Sequence, residues 1–307
     1  MNTVVVGVVF LDIKGFPFFK YDAIGTNLGN VLMTQGGVAR NVAEDMANLG
    51  AGVSFVTMFD ENGLGAEARN RLAEAGVNLD SALILPEKGM GMWLAVFDEK
   101  NDLAGSISRM PDASPMEALF EEKGEEIIKS ARNIVLEMDL SEKISERVME
   151  LAKKYNKPVY AIVSNMSVIL RRPELMAQTD CVILNEIEAG RLFGMELRRL
   201  APEEMLTRVY AAAKNAGINA IVVTMGSQGS VYIDFRSGDC GHIPCIPCEV
   251  ADTTGAGDAF FSAAVESLSR GMSLREAVIR GTRLASMTIA SPESACPRMD
   301  ESFFAGA

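Results

Sequence analysis

Near its C-terminus the chain reads VADTTGAGDAFFSAAVESL, so Gly255, Ala256 and Gly257 precede Asp258 at the mouth of an apolar-periodic run of helical length. A carboxylate in a first helical turn interacts favourably with the macrodipole, which would account for the acid alone. Small residues there add something else. They leave N–H groups open to an anion, and a carboxylate beside that anion can accept a proton from a nucleophile. Four further clusters carry groups of the same kind. Gly36 and Gly37 open GGVARN, whose Asn41 lies one turn into a predicted helix and can hydrogen-bond hydroxyls. Asp12 stands at the end of the first apolar run, where a carboxylate can grip a vicinal diol. NEIEA brings Asn185, Glu186 and Glu188 to the end of CVILN, and TMGSQGS sets Thr224, Gly226 and Gly229 after an apolar run. Taken singly, each has a plain reading as turn, cap or loop.

The elements that position these clusters can be read from periodicity. VVVGVVF, VSFVTMF, NIVLEM, PVYAIV, CVILN and AIVVTMG are nearly all apolar and β-rich, as buried parallel strands are. Between them lie the amphipathic segments VARNVAEDMANLG, GAEARNRLAEAG, SEKISERVMELAKKY and EEMLTRVYAAAKNAG, several closed by a glycine. The alternation predicts an α/β fold with a mostly parallel central sheet and helices on both faces. The clusters then fall after strands or at helix starts, where open α/β sheets hold ligands. Segments 12–34 and 90–108 have glycine turns and short β-like pieces without a crossover helix, and are read as a small β lid beside the core. No linker or repeat divides the rest, so residues 1–307 read as one domain with the lid segments inserted.

Composition narrows the ligand. A formal charge of -12 over 307 residues argues against a nucleic-acid polymer but leaves room for a small anion held by backbone amides and a metal ion. The opening VVVGVVFL stops at Asp12 and lacks a basic flank and a small-residue cleavage site, so it is read as neither a signal peptide nor a membrane span. Five cysteines without a framework spacing suit a reducing cytoplasm. Cys240, His242, Cys245 and Cys248 crowd into CGHIPCIPC with the chain's single histidine. Strand alternation through HIPCIPCEV would put His242 and Cys248 on one face and Cys245 on the other, which argues against a zinc site. The first strand lacks a GxGxxG fingerprint, and no GxxxxGK[ST] loop occurs, so a nucleotide would be bound by another device.

Together the clusters resemble the ribokinase-like, or PfkB, carbohydrate kinases from end to end. GGVARN matches the family's N-terminal GG-x(2,3)-N helix start, and Asp252 to Phe260 match DTTGAGDxF without a departure. Asn185 and Glu188 match NxxE, and Thr224, Gly226 and Gly229 match TxGxxG. The resemblance implies phosphorylation of a primary hydroxyl of a sugar or nucleoside by ATP. It implies Asp258 as general base and the amides of Gly255, Ala256 and Gly257 as an anion hole for the transferred phosphoryl oxygens. It puts Asp12, Gly36, Gly37 and Asn41 on the substrate hydroxyls, and Asn185, Glu188, Thr224, Gly226 and Gly229 on the nucleotide. Glu188 would organise Mg²⁺ through water, and Asp252 with the Thr254 carbonyl matches a K⁺ position in relatives. The lid would close over the substrate and supply a homodimer interface, with Met90, Met92 and Trp93 as packing residues.

Within the family, VVVGVVFLDIKGFP and GTNLGNVLMTQGGVARNVAEDMANLG are most similar to the pseudouridine kinases, with Thr26, Leu28 and Ala39 replacing the Ser, Pro and Gly of that branch's pattern. The expected substrate is therefore pseudouridine, with another family kinase (ribose, adenosine or ketodeoxygluconate type) as the alternative. A non-catalytic sugar or nucleoside sensor would be expected to lose the base or the anion hole, and this chain keeps both.

Overall fold

In the computed structural model, which describes residues 2–291 and 293–305, the valines after Thr3 form β1 (Thr3–Val6). The apolar run does not continue as one strand. At Gly7 a Cβ would collide with Ala39 and the Glu137 carboxylate, and the chain turns out of the sheet there. It resumes as β2 (Phe10–Pro17) in a different sheet. Asp12 therefore lies on that second sheet and not at the end of the first core strand, which corrects the sequence reading.

Then come β3 (Gly29–Gly36), α1 (Val38–Asn48), β4 (Val53–Val56), β5 (Met58–Asp60), α2 (Gly63–Ala75), β6 (Leu83–Leu85), β7 (Gly91–Phe97), β8 (Leu103–Arg109) and α3 (Ser114–Ser130). The second half runs β9 (Asn133–Glu137), α4 (Glu142–Tyr155), β10 (Val159–Ile162), β11 (Cys181–Asn185), α5 (Glu186–Phe193), α6 (Pro202–Asn215), β12 (Ala220–Thr224), β13 (Ser230–Asp234), β14 (Cys240–Ile243), α7 (Ala256–Ser269) and α8 (Leu274–Ile289). VSFVTMF is split like the first run. Its first half joins the central sheet as β4, while β5 pairs with β6 and the intervening Thr57 carbonyl accepts from Leu83 N–H.

The central sheet has the order β14-β13-β12-β11-β10-β9-β1-β4, and all its pairs are parallel except β12–β13 and β13–β14. Alternating side chains supply two cores. Val4, Val6, Ile134 and Leu136 pack on one face against Phe120 of α3, Val148 of α4 and Val209 of α6. Val5, Val135, Ile162 and Val222 pack on the other against Val42 and Met46 of α1, Leu72 of α2, Phe261 of α7 and Val278 of α8. The helices carrying Asn41 and Asp258 thus share one layer. The mostly parallel sheet with helices on both faces is the architecture inferred from sequence, with three helices, α3, α5 and α8, that lie outside the amphipathic segments read from periodicity.

The smaller sheet has the order β3-β2-β7-β8, with β2 and β7 parallel and the outer pairs antiparallel. It extends slightly beyond the expected 12–34 and 90–108. Register aligns Thr34, Asp12, Trp93 and Ser108 in one row, and Met33, Ile13, Leu94 and Ile107 in the next, which faces the opposite way. Met33, Leu94 and Ile107 are exposed.

β14 ends at Ile243, and no regular structure follows before α7. The alternation argument for the cysteine cluster therefore covers only Cys240 and His242. His242 Nε2 lies 2.6 Å from the Gln228 carbonyl, and Cys245 Sγ donates to the Ser227 carbonyl at 2.8 Å, so both are engaged by the turn after β12. Among the described residues no group of three or more His, Cys, Asp or Glu is placed to hold a metal ion. No helix among them is long and apolar enough to cross a membrane.

Candidate active site

The site lies along the C-terminal ends of the parallel strands, where β9, β11 and β12 deliver Glu137, Asn185 and Thr224. Its centre is the start of α7. Gly255 is the N-cap at φ 80°, and a Cβ there would collide with the Ser294 carbonyl, so glycine is required twice over. Gly257 differs: a Cβ there would meet nothing within 4 Å. Among the described residues no neighbour demands a glycine at 257, and the open space it leaves lies beside the helix-start amides.

Asp258 follows in the first turn, and its Oδ2 accepts from Asn41 Nδ2 at 2.6 Å. Burial pushes this carboxyl up to about 7, with Glu188 pushing the same way and the Asn41 hydrogen bond and Arg40 charge resisting. A carboxylate with that pKa is suited to take a proton near neutral pH. Asn41 also accepts at Oδ1 from Ser294 Oγ, at 3.4 Å. Each end of the Asn41 amide thus makes one bond to protein, which the sequence did not indicate, and beyond these two bonds the amide still has a second N–H and a second lone pair.

The paired glycines before α1 have separate causes. Gly37 has φ 99°, and a Cβ there would lie 2.6 Å from the Val8 carbonyl. At Gly36 a Cβ would collide with the Asp12 carboxylate, so the glycine clears the space that Asp12 occupies. Asp12 is half-buried, and burial raises its pKa against the pull of Lys14 and Arg40.

On the other side of Asp258, a cavity of about 600 Å³ is lined by Asn185, Thr224, Gly226, Gly229, Ala256 and Gly257, with Thr282 and Ser286 of α8 behind them. Asn185 caps α5: its Oδ1 accepts from Ile187 and Glu188 N–H at 2.9 Å, and Glu188 Oε2 accepts from Asn185 N–H at 2.9 Å. The NxxE pair is thus a capping box as well as a candidate metal and nucleotide group. Burial raises the Glu188 pKa, a penalty that a nearby cation would relieve. Thr224, Gly226 and Gly229 form the turn between β12 and antiparallel β13. Asp252 and Thr254 lie exposed just before Gly255, and Asp252 Oδ1 accepts from both Thr254 N–H, at 2.9 Å, and Thr254 Oγ1, at 2.8 Å. Burial raises the Asp252 pKa, but the Thr254 hydrogen bonds and the Lys14 charge outweigh it, and the net pKa is lowered.

Three residues that sequence reasoning passed over complete the site. Glu137 is buried, accepts from Val8 N–H at 3.0 Å, and is pushed by burial to about 7. Arg40, fully buried inside GGVARN, donates to the Gln35 and Gly36 carbonyls and pairs with Glu44 at 2.8 Å. Ser294 touches both Arg40 and Asn41. Only Arg40 had a signal available, as the one cation between the small residues of that motif.

A half-buried carboxylate in the first turn of a glycine-led helix, at the rim of a glycine-lined cavity of about 600 Å³, has the layout of a phosphotransferase site in a ribokinase-like fold. The pfkB family carbohydrate kinase model matches residues 2–300, and the chain belongs to that family: it is a kinase with an alcohol acceptor. It is 34% identical to the guanosine-inosine kinase of Exiguobacterium acetylicum over 96% of each chain. It is 26% identical to the pseudouridine kinase of Escherichia coli (strain K12), over 93% of this chain and 90% of that one. Arabidopsis thaliana ribokinase, solved with ribose and ATP, superposes with a TM-score of 0.82 at 23% identity, over 99% of this chain and 97% of that one.

Proposed function

We propose that the protein transfers the γ-phosphoryl group of ATP to the 5′-hydroxyl of a ribonucleoside, with inosine and guanosine as the preferred acceptors. The observation that carries the chemistry is Asp258, held by Asn41 with its pKa near 7, beside the amides of Ala256 and Gly257. The choice of acceptor is supported by the 34% identity to a guanosine-inosine kinase over nearly the whole of both chains. That similarity moves the purine nucleosides ahead of pseudouridine, the acceptor expected from the N-terminal pattern.

In this reading Asp12 binds the ribose diol, and Asp258 Oδ1 takes the 5′-hydroxyl proton as the oxygen attacks the γ-phosphorus. The bond to the ADP oxygen breaks, and the helix-start amides of α7 hold the charge on the transferred group. Thr224, Gly226 and Gly229 line the nucleotide. Mg²⁺ bound by ATP would neutralise phosphate charge. Glu188 suits it, since one of its oxygens remains beyond the capping bond, and Mg²⁺ takes few protein ligands beside water and phosphate. K⁺ would have to share Asp252 with the neighbouring Lys14, and it enters no step here. Closure of the lid would keep water from the phosphoryl group. Its outward apolar row, Met33, Leu94 and Ile107, is proposed to meet a second copy in a homodimer.

Pseudouridine remains the second reading, favoured by the 26% identity to a pseudouridine kinase and by the N-terminal pattern. The test is coupled ADP release with inosine, guanosine, pseudouridine, uridine, adenosine and ribose. Inosine or guanosine should exceed pseudouridine in kcat/KM by at least about tenfold, the worth of one buried hydrogen bond of about 1.4 kcal/mol. The reverse order would hand the assignment to pseudouridine, and no turnover with any alcohol would overturn the kinase reading itself.

A further inference from the structure

We propose that Arg40, acting through Ser294, is a positioning residue that orients the Asp258 carboxylate and ties that orientation to the base of the lid. The inference rests on the kinase reading of the site. A guanidinium with no exposed surface is costly to bury, and Arg40 recovers that cost with an unusual set of partners. Nε donates to the Gly36 carbonyl at 3.3 Å, and a terminal nitrogen donates to the Gln35 carbonyl. Both carbonyls belong to the last residues of lid strand β3. A second terminal nitrogen binds Glu44 at 2.8 Å, and Glu44 is also bound by Arg71 of α2 at 2.8 Å.

The remaining contact leads to the catalytic side. Arg40 donates to Ser294 Oγ at 3.4 Å, Ser294 Oγ donates to Asn41 Oδ1 at 3.4 Å, and Asn41 Nδ2 donates to Asp258 Oδ2 at 2.6 Å. Every donor in this chain points the same way. The final acceptor must be a carboxylate oxygen, and the amide of Asn41 is fixed in one of its two flips. With Oδ2 taken by Asn41, Oδ1 is left for the substrate hydroxyl. Ser294 is itself held in place, because its carbonyl packs against Gly255 and two residues on Cys296 N–H donates to Asp45 of α1 at 2.7 Å. Arg40 has no exposed surface from which to touch a substrate, and in this proposal both residues act through Asn41. A shift of the β3 end would pull on the same guanidinium that steers the base.

The experiment compares Ser294→Ala, Ser294→Thr, Arg40→Met and Arg40→Lys with the unsubstituted chain, well below every melting temperature. Ser294→Ala should lose about tenfold in kcat with both KM values within about threefold, and Ser294→Thr should restore the rate, since it keeps the hydroxyl. Arg40→Met should lose more, and Arg40→Lys should fail to rescue it, because an ammonium cannot serve this spread of acceptors. Acceptor affinity, followed by the emission of Trp93, the chain's single tryptophan and a lid residue, should stay within about threefold. Unchanged kcat in Ser294→Ala overturns the proposal, as does a loss of Trp93-reported affinity that parallels the loss of kcat. If Arg40→Met does not fold, the Ser294 pair decides. A crystal structure of Ser294→Ala needs no activity: the proposal expects the Asn41–Asp258 bond lost or lengthened and fails if it is unaltered. Turnover by the unsubstituted chain tests the kinase reading separately.

Discussion

Asn41 and Asp258 stand 217 residues apart in sequence and meet through one hydrogen bond of 2.6 Å between the starts of α1 and α7. The contact joins the two signature segments of the chain into one device. It also changes what each residue should do when altered. Asp258→Asn should fold and bind nucleotide but lose roughly 10²- to 10⁴-fold in kcat, the usual worth of a positioned general base. Turnover within a few-fold of the unsubstituted chain would remove Asp258 from that role.

Asn41→Ala should then behave as a lesion of the base more than of substrate binding. The expected result is a fall in kcat of about tenfold or more with a small change in acceptor KM. Asp12→Ala should do the opposite, raising acceptor KM strongly while leaving ATP binding alone, because its carboxylate lies on the lid side of the cleft beside Gly36. Steady-state kinetics in both substrates separate the two patterns. Equal losses for ATP and acceptor in Asp12→Ala would move that residue out of the substrate pocket.

The pH dependence has a definite sign. Asp258 must be ionised to accept a proton, and its carboxyl is pushed from an ordinary 3.8 to about 7, so kcat/KM should fall as pH drops through about 7. Stability moves the other way. A raised carboxyl binds its proton more tightly in the folded state, so its contribution is complete below about 4, is lost as pH rises to about 7, and is flat above. Asp258→Asn should therefore melt higher than the unsubstituted chain at pH 8, by a few °C or more, with the gap closing toward pH 4. Melting curves across that range check it, and a gap independent of pH would contradict the raised carboxyl.

Much of this arrangement was legible in the sequence because spacing and composition report backbone needs directly. The apolar runs gave the parallel sheet, and DTTGAGD marked a helix start open to an anion. What stayed hidden depended on tertiary placement. At Gly7, where β1 ends, Ala39 and Glu137 from other elements leave no room for a side chain, a crowding that VVVGVVFLD read as one strand does not reveal. Arg40 and Glu44, four residues apart, have the pattern of a solvated helical pair, yet α1 is buried from Ala39 to Ala47. Ser294 lies in no motif and matters only through the fold that returns it to α1.

The two glycines of the α7 turn should respond oppositely to the same substitution. Gly255→Ala puts a side chain on a residue with φ 80° and drives its Cβ into the Ser294 carbonyl, so it should destabilise the protein and displace the helix start. Gly257→Ala meets no atom of another element within 4 Å among the described residues and lies inside the first turn of α7, where alanine is the better helix former. The gain should be about 0.5–1 kcal/mol, enough to raise the melting temperature by a few °C or less. If the open space at Gly257 is where the transferred phosphoryl group approaches the amides, the new methyl group occupies it. Gly257→Ala should then be at once more stable and at least about tenfold slower in kcat, since weakening one preorganised donor contact costs about that much or more. Thermal melts and initial rates on the same preparations give both readouts. A Gly257→Ala protein that is more stable and fully active would show that phosphate does not approach this face of the turn.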